Sequence, residues 1–124
     1  MRIAIDARMI EHSGVGSVIR GWLEGLACLP ADERPRIVLL GEPAKLDPYA
    51  QPINASVVSF RASIYSLAEQ IHYPSSDGRW DLLFVPHYAH PLFYDEPFVG
   101  TVHDRFHIQY GSTGRRFYQR MMLS

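Results

Sequence analysis

Cysteine is nearly missing from this 124-residue chain: Cys28 is the only one, so no disulfide can form within it. It sits among Leu26, Ala27 and Leu29, where a small buried hydrophobe is expected, in keeping with a reducing compartment. Long apolar runs are missing as well, none approaching the roughly 18–20 residues that span a bilayer. The first residues already read as a strand, which leaves no stretch with a charged start and an apolar core of the secretory-signal kind. Neither sign of charge is in excess, since 12 Lys and Arg stand against 13 Asp and Glu for a net charge of −1. That balance offers no basic footprint for a nucleic acid. Internal repeats, low-complexity segments and a convincing domain boundary are also lacking. What remains is the composition of a soluble globular protein, 47% apolar and 20% charged, at a length that fits one domain. The expected location is the cytoplasm, with a peripheral position on the inner membrane face as a variant.

Short apolar runs alternate with helical spacing along the chain. Arg2–Asp6 and Arg36–Leu40 read as strands buried on both faces, and Ala55–Phe60, Trp80–Val85 and Phe98–Val102 as three more. Between the first two, Val15, Val18, Ile19, Trp22, Leu23, Leu26 and Leu29 recur at helical spacing, with Arg20 and Glu24 opposite and Pro30 as the stop. Glu42–Pro52, rich in proline and polar groups, reads as a loop. Ser63–His72 has a helical pattern through Ile64, Leu67, Ala68 and Ile71, and Arg115–Leu123 has helical character. This alternation predicts an α/β, Rossmann-like, doubly wound parallel sheet of about five strands. The chain stops four residues after Arg120, so a single partial domain over residues 1–124, cut before its last strand, is expected. Such a cut would expose a sheet edge and an apolar face. A final helix bearing Phe117, Tyr118, Met121 and Met122 would then cover that face or pair with another copy.

Ligands of such sheets bind at the carboxyl ends of the strands. There, Ser13-Gly14-Val15-Gly16 opens the first helix, and Gly14 and Gly16 allow close backbone approach to a phosphate or diphosphate at the helix N-terminus. The competing reading is a tight strand-to-helix connection. A dinucleotide fingerprint fits poorly, because Ala7–Ser13 intervene and Ile19 stands where the third glycine would be, although Glu42 sits where a ribose-binding acid belongs. His103-Asp104 at the end of the fifth strand could meet a ligand or make a strand-end hydrogen bond. His87, Tyr88 and His90 could line an acceptor pocket or an exposed loop. As metal ligands they lack support, with only Asp81, Asp95 and Glu96 near in sequence, so no metal and no cofactor is expected.

Taken in order, M-R-I-A-I-D-A-R, S-G-V-G, W-D-L-L-F-V-P-H and T-V-H-D resemble the retaining nucleotide-sugar glycosyltransferases of family 4, over Met1 to about Gln119. That family has the GT-B fold, two Rossmann-like domains facing each other across a cleft. The resemblance implies an N-terminal, acceptor-side domain of a hexosyltransferase-type enzyme. Such an enzyme moves a sugar from a nucleotide-diphosphate donor to a glycan or lipid-linked acceptor with retention. It further implies that Gly14, Val15 and Gly16 lie beneath the donor diphosphate, that His103 faces the donor sugar with Asp104 supporting it, and that His87 and Tyr88 meet the acceptor. The family's E-x7-E motif and basic pair belong to a C-terminal domain that this chain does not contain, and Glu24 and Glu33 do not have that spacing. The expectation is therefore no appreciable transfer by this chain alone. A non-catalytic interaction module of the same fold and a dinucleotide-binding protein are the alternatives.

Overall fold

The computed structural model describes residues 1–87 and 91–101. Five parallel strands form one sheet: β1 (Arg2–Asp6), β2 (Arg36–Gly41), β3 (Ser56–Ser59), β4 (Leu82–Val85) and β5 (Phe98–Gly100), in the spatial order β3-β2-β1-β4-β5. This is the α/β doubly wound arrangement that the apolar runs predict. β1 is central, pairing Ile3 with Ile37 on one side and with Leu82 on the other. Alternate residues go to opposite faces, and both faces are covered. Ile5, Ile37 and Leu39 pack with Ile19 and Leu23 of α1 (Val15–Cys28) and with Leu46 and Ala50 of α2 (Pro43–Ala50). Ala4, Val38, Leu40, Leu83 and Val85 pack on the other face with Phe60 and Trp80, which belong to the connection between β3 and β4. Because β2 and β3 are laid down on one side of β1, and β4 and β5 on the other, the winding reverses between β1 and β4. A crevice opens at such a reversal.

Several local expectations are corrected. Residues 42–52 are not a loop: α2 covers Pro43–Ala50 and a 3-10 turn follows at Gln51–Ile53. Pro43 stands in the first turn, where its missing N–H costs nothing, and Leu46 and Ala50, four apart, supply the buried face. Pro48 removes one intrahelical bond, and its presence hid the helix in the sequence. In the next connection, α3 begins only at Leu67 and runs to His72. Ser66 is its cap, its hydroxyl accepting the Glu69 N–H at 3.1 Å. The apolar positions Leu67 and Ile71 of the helical pattern are turned out, 78% and 76% exposed, while Glu69 is buried. Cys28, expected to be buried, is exposed. The inward positions of α1 are Gly16, Ile19 and Leu23, and Cys28 falls off that stripe at the helix end. The stripe is also narrower than predicted, since Val18, Trp22 and Leu29 are exposed, although the Trp22 ring stacks on Phe84 with 4.4 Å between centroids.

β4 starts at Leu82 rather than Trp80, whose buried indole donates to the Tyr94 hydroxyl at 2.8 Å. β5 is exposed along its length, with one strand partner among the described residues, as expected for a sheet edge. The expected helix at Arg115–Leu123 and the residue Val102 lie outside the described residues. No helix among the described residues is long and apolar enough to cross a membrane.

Candidate functional site

β1 ends on a charged residue. Asp6 is fully buried at the reversal of strand order, between the ends of β2 and β4. A carboxylate withdrawn from water needs partners, and the chain supplies three. Arg8, two residues on, turns back and donates from Nε to Oδ1 at 2.9 Å and from Nη2 to Oδ2 at 2.6 Å. The Tyr73 hydroxyl donates to Oδ2 at 2.8 Å. His87, just past β4 and 2% exposed, places Nε2 at 3.2 Å from the same oxygen.

The guanidinium of Arg8 continues the network. Its Nη2 also reaches Glu69 Oε1 at 2.7 Å, its Nη1 donates to the Ala62 carbonyl at 3.0 Å, and its plane lies 4.0 Å over the Phe60 ring. Glu69 accepts the Tyr65 N–H on Oε2 at 3.0 Å. This bond explains why α3 buries its glutamate: the side chain is held from both ends. Arg8 thus sits between two buried carboxylates, with its own side chain 5% exposed.

The electrostatics follow from this arrangement. Burial alone would raise the Asp6 carboxyl, but the nearby His87 and the bonded Arg8 outweigh it and hold Asp6 well below the usual carboxylate range. Burial lowers Arg8, and the two carboxylates more than reverse that, keeping it firmly charged. Burial raises Glu69, and Arg8 offsets this only in part. Tyr73 is pushed well up by burial and by the charge on Asp6, so it acts here as a hydrogen-bond donor. The network ties together β1, the loop after β3, α3 and the end of β4 at the mouth of the switch-point crevice.

Beside it lies an open cleft of about 260 Å³ at the carboxyl ends of β1, β2 and β3. Ala7, Ile10, Leu46 and Phe60 give it apolar walls. Arg8, Glu42, Lys45, Arg61 and Ser63 supply its polar groups. Lys45 is bridged between Glu42 and Glu11, at 3.3 Å from each.

The glycines expected beneath a diphosphate have a local explanation. Gly14 has φ of +55°, a conformation other residues adopt only with strain. At Gly16 an added Cβ would lie 2.7 Å from the carbonyl oxygens of Met9 and Ile10, so the close approach is to the chain's own loop. Arg20 secures the same turn, donating to the Ile10 carbonyl and to Ser17 Oγ. Gly16→Ala is accordingly expected to cost about 1–3 kcal/mol, read as a lower urea midpoint at unchanged slope. An unchanged midpoint would show that helix and loop separate freely.

Of the other expected site residues, His87 is described, and it is packed into the interior against Asp6. Tyr88, His103 and Asp104 lie outside the described residues, as does His90. Among the described residues no group of three His, Cys, Asp or Glu side chains is arranged to hold a metal. Sequence reasoning gave no site role to Asp6, Arg8, Glu69 or Tyr73. One signal was present, in that D-A-R puts opposite charges at the end of a strand otherwise buried on both faces.

Fold and site together define a doubly wound α/β domain with a buried polar network at its switch point and an open cleft beside it. Comparison with protein-family models, with curated proteins and with solved structures yields no match for this chain.

Proposed function

We propose that this chain is the acceptor-side, Rossmann-like domain of a retaining nucleotide-sugar glycosyltransferase of the GT-B type. The observation that supports this reading best is the buried Asp6–His87 contact at the reversal of strand order, beside an open cleft on the same end of the sheet. The segments that resemble the family, M-R-I-A-I-D-A-R, S-G-V-G and W-D-L-L-F-V-P-H, bring their polar ends to this one end of the sheet. In this reading the domain contributes by positioning and electrostatics. Gly14, Val15 and Gly16 present backbone N–H groups toward a diphosphate, and His103, supported by Asp104, faces the donor sugar. His87 acts through Asp6 as a positioning residue, and Tyr88 meets the glycan or lipid-linked acceptor. The grip on the nucleotide comes from an opposing domain, so this chain alone binds donor weakly and transfers nothing.

Titrating the isotope-labelled 124-residue protein with UDP-glucose, GDP-mannose and NAD tests this. The expected result is movement of the Gly14, Val15 and Gly16 amides with either nucleotide sugar, dissociation constants on the order of 1 mM, no such movement with NAD, and no sugar transfer. Glu42, directly after β2 and lining the cleft, favours the dinucleotide alternative. Micromolar NAD binding with no response to nucleotide sugars would establish that alternative. Silence toward all three, or robust transfer by the chain alone, would also overturn the proposal.

A further inference from the structure

The three cations of the cleft differ in how far they are already satisfied. Arg8 is spent on Asp6, Glu69 and the Ala62 carbonyl. Lys45 is held between Glu42 and Glu11. Arg61, an exposed residue, has neither a hydrogen bond nor an ion pair among the described residues, so its guanidinium fork is available. The acceptors are as unequal. Glu42 meets Lys45 through Oε2, leaving Oε1 without a partner among the described residues, and the Ser63 hydroxyl is likewise unengaged. Around these groups Ala7, Ile10, Leu46 and Phe60 complete the lining, packed so closely that they leave little apolar surface open to an occupant.

Each feature restricts the occupant. A volume of about 260 Å³ lies below the roughly 300–1,000 Å³ typical of drug-sized ligands, which suits a single ring. Free acceptors beside free donors suit hydroxyl groups, which need both. One uncompensated guanidinium suits one carboxylate, which it can meet with two parallel hydrogen bonds. A phosphate ester, at about −1.5 to −2 charges, would bring more charge than the cleft balances.

We propose that the cleft at the carboxyl ends of β1, β2 and β3 binds a sugar acid, a hydroxylated ring bearing one carboxylate. The carboxylate lies on Arg61, and the hydroxyls are shared between Glu42 and Ser63. This deepens the acceptor-side reading, and it rests on that reading only for naming the occupant an acceptor. Binding itself is reported by the Leu46 and Ser63 amides and is scored separately from the response of Gly14–Gly16 to nucleotide sugars.

The experiment titrates the 124-residue protein with glucuronate, glucose and glucose 6-phosphate, following those amides. Glucuronate should saturate, with glucose at least about tenfold weaker, the loss expected for a charge-assisted pair. Arg61→Gln should bring glucuronate down to the level of glucose, and Arg61→Lys should restore part of the difference. Glu42→Gln should weaken glucuronate and glucose alike. Arg61 bonds to nothing described, and the Lys45–Glu42 pair is exposed enough to contribute little, so a nearly unchanged urea midpoint should accompany each variant. Equal affinity for glucose and glucuronate, tighter binding of glucose 6-phosphate, or indifference to Arg61→Gln would each overturn the assignment. A null result at Leu46 and Ser63 would do the same, even if nucleotide sugars still moved Gly14–Gly16.

Discussion

Arg8→Met should cost about 3–5 kcal/mol of folding stability, the range seen when one partner of a buried ion pair is removed. Whole domains are stable by only about 5–15 kcal/mol, so the variant will sit close to unfolding at room temperature. The cause is not chiefly the lost attraction. The Asp6 and Glu69 side chains are both 0% exposed, and without the guanidinium each becomes a buried acceptor short of its donor. Methionine keeps much of the volume against Phe60, which separates the electrostatic loss from a packing loss. The measurement is urea unfolding of Arg8→Met and of Arg8→Met combined with Glu69→Gln. If stranded charge is the cause, the added Glu69→Gln should recover part of the loss. A fall of less than about 1 kcal/mol for Arg8→Met would mean that water or another cation reaches these carboxylates.

The second large effect is expected at Leu46, which α2 lays over the end of β2 as part of both the core and the cleft wall. It is 0% exposed, and its Cδ1 lies 2.8 Å from where a Cβ on Gly41 would stand, so a side chain at residue 41 would have to push the Leu46 methyl aside. Leu46→Ala should destabilise by about 2–3 kcal/mol, the lower part of the range for buried leucines, because the space left behind joins an open cleft that water can enter. Leu83→Ala, equally buried in the other face's core and not part of this cleft's lining, should cost about 3–5 kcal/mol. Urea midpoints of the two variants give the comparison directly. A larger loss at Leu46 than at Leu83 would show that the cleft does not relieve the cavity.

The fold was legible because its strands are written as uninterrupted apolar runs. Ile3–Ile5 and Ile37–Leu40 leave few readings other than strands covered on both faces, and Gly14 with Pro30 brackets α1. α2 escaped notice because two prolines and a single leucine obscure its pattern, and only the sheet beneath Leu46 and Ala50 explains it. The helical pattern of α3 is legible in the sequence, but the face it buries is not. Periodicity assigns Leu67 and Ile71 to the core, whereas the bonds from Arg8 and Tyr65 to Glu69 decide the matter in the opposite sense. The polar network was illegible for a similar reason. Arg8 and Glu69 are 61 residues apart, Asp6 and Tyr73 are 67 apart, and no local pattern announces contacts of that span. His87 stood out in the sequence as a loop histidine, but its neighbour Asp6 became visible only once β1 and β4 lay side by side.

The central place of β1 also orders events in time. Of the five strands β1 is made before the others, and its β2 side can be satisfied once residue 40 or so has emerged. The other side of the strand waits for β4, paired at a separation of 79 residues through Arg2 and Asp81. At synthesis rates of about 5–20 residues per second, that wait lasts roughly 4–16 s. Throughout it the nascent chain carries an open strand edge and an Asp6 carboxylate that His87 has yet to meet. Pairings between residues so far apart also close slowly in refolding from denaturant. The same placement that puts the polar network at the switch point therefore makes β1 the earliest of these five strands to be synthesised, yet it is complete only once β4 has followed.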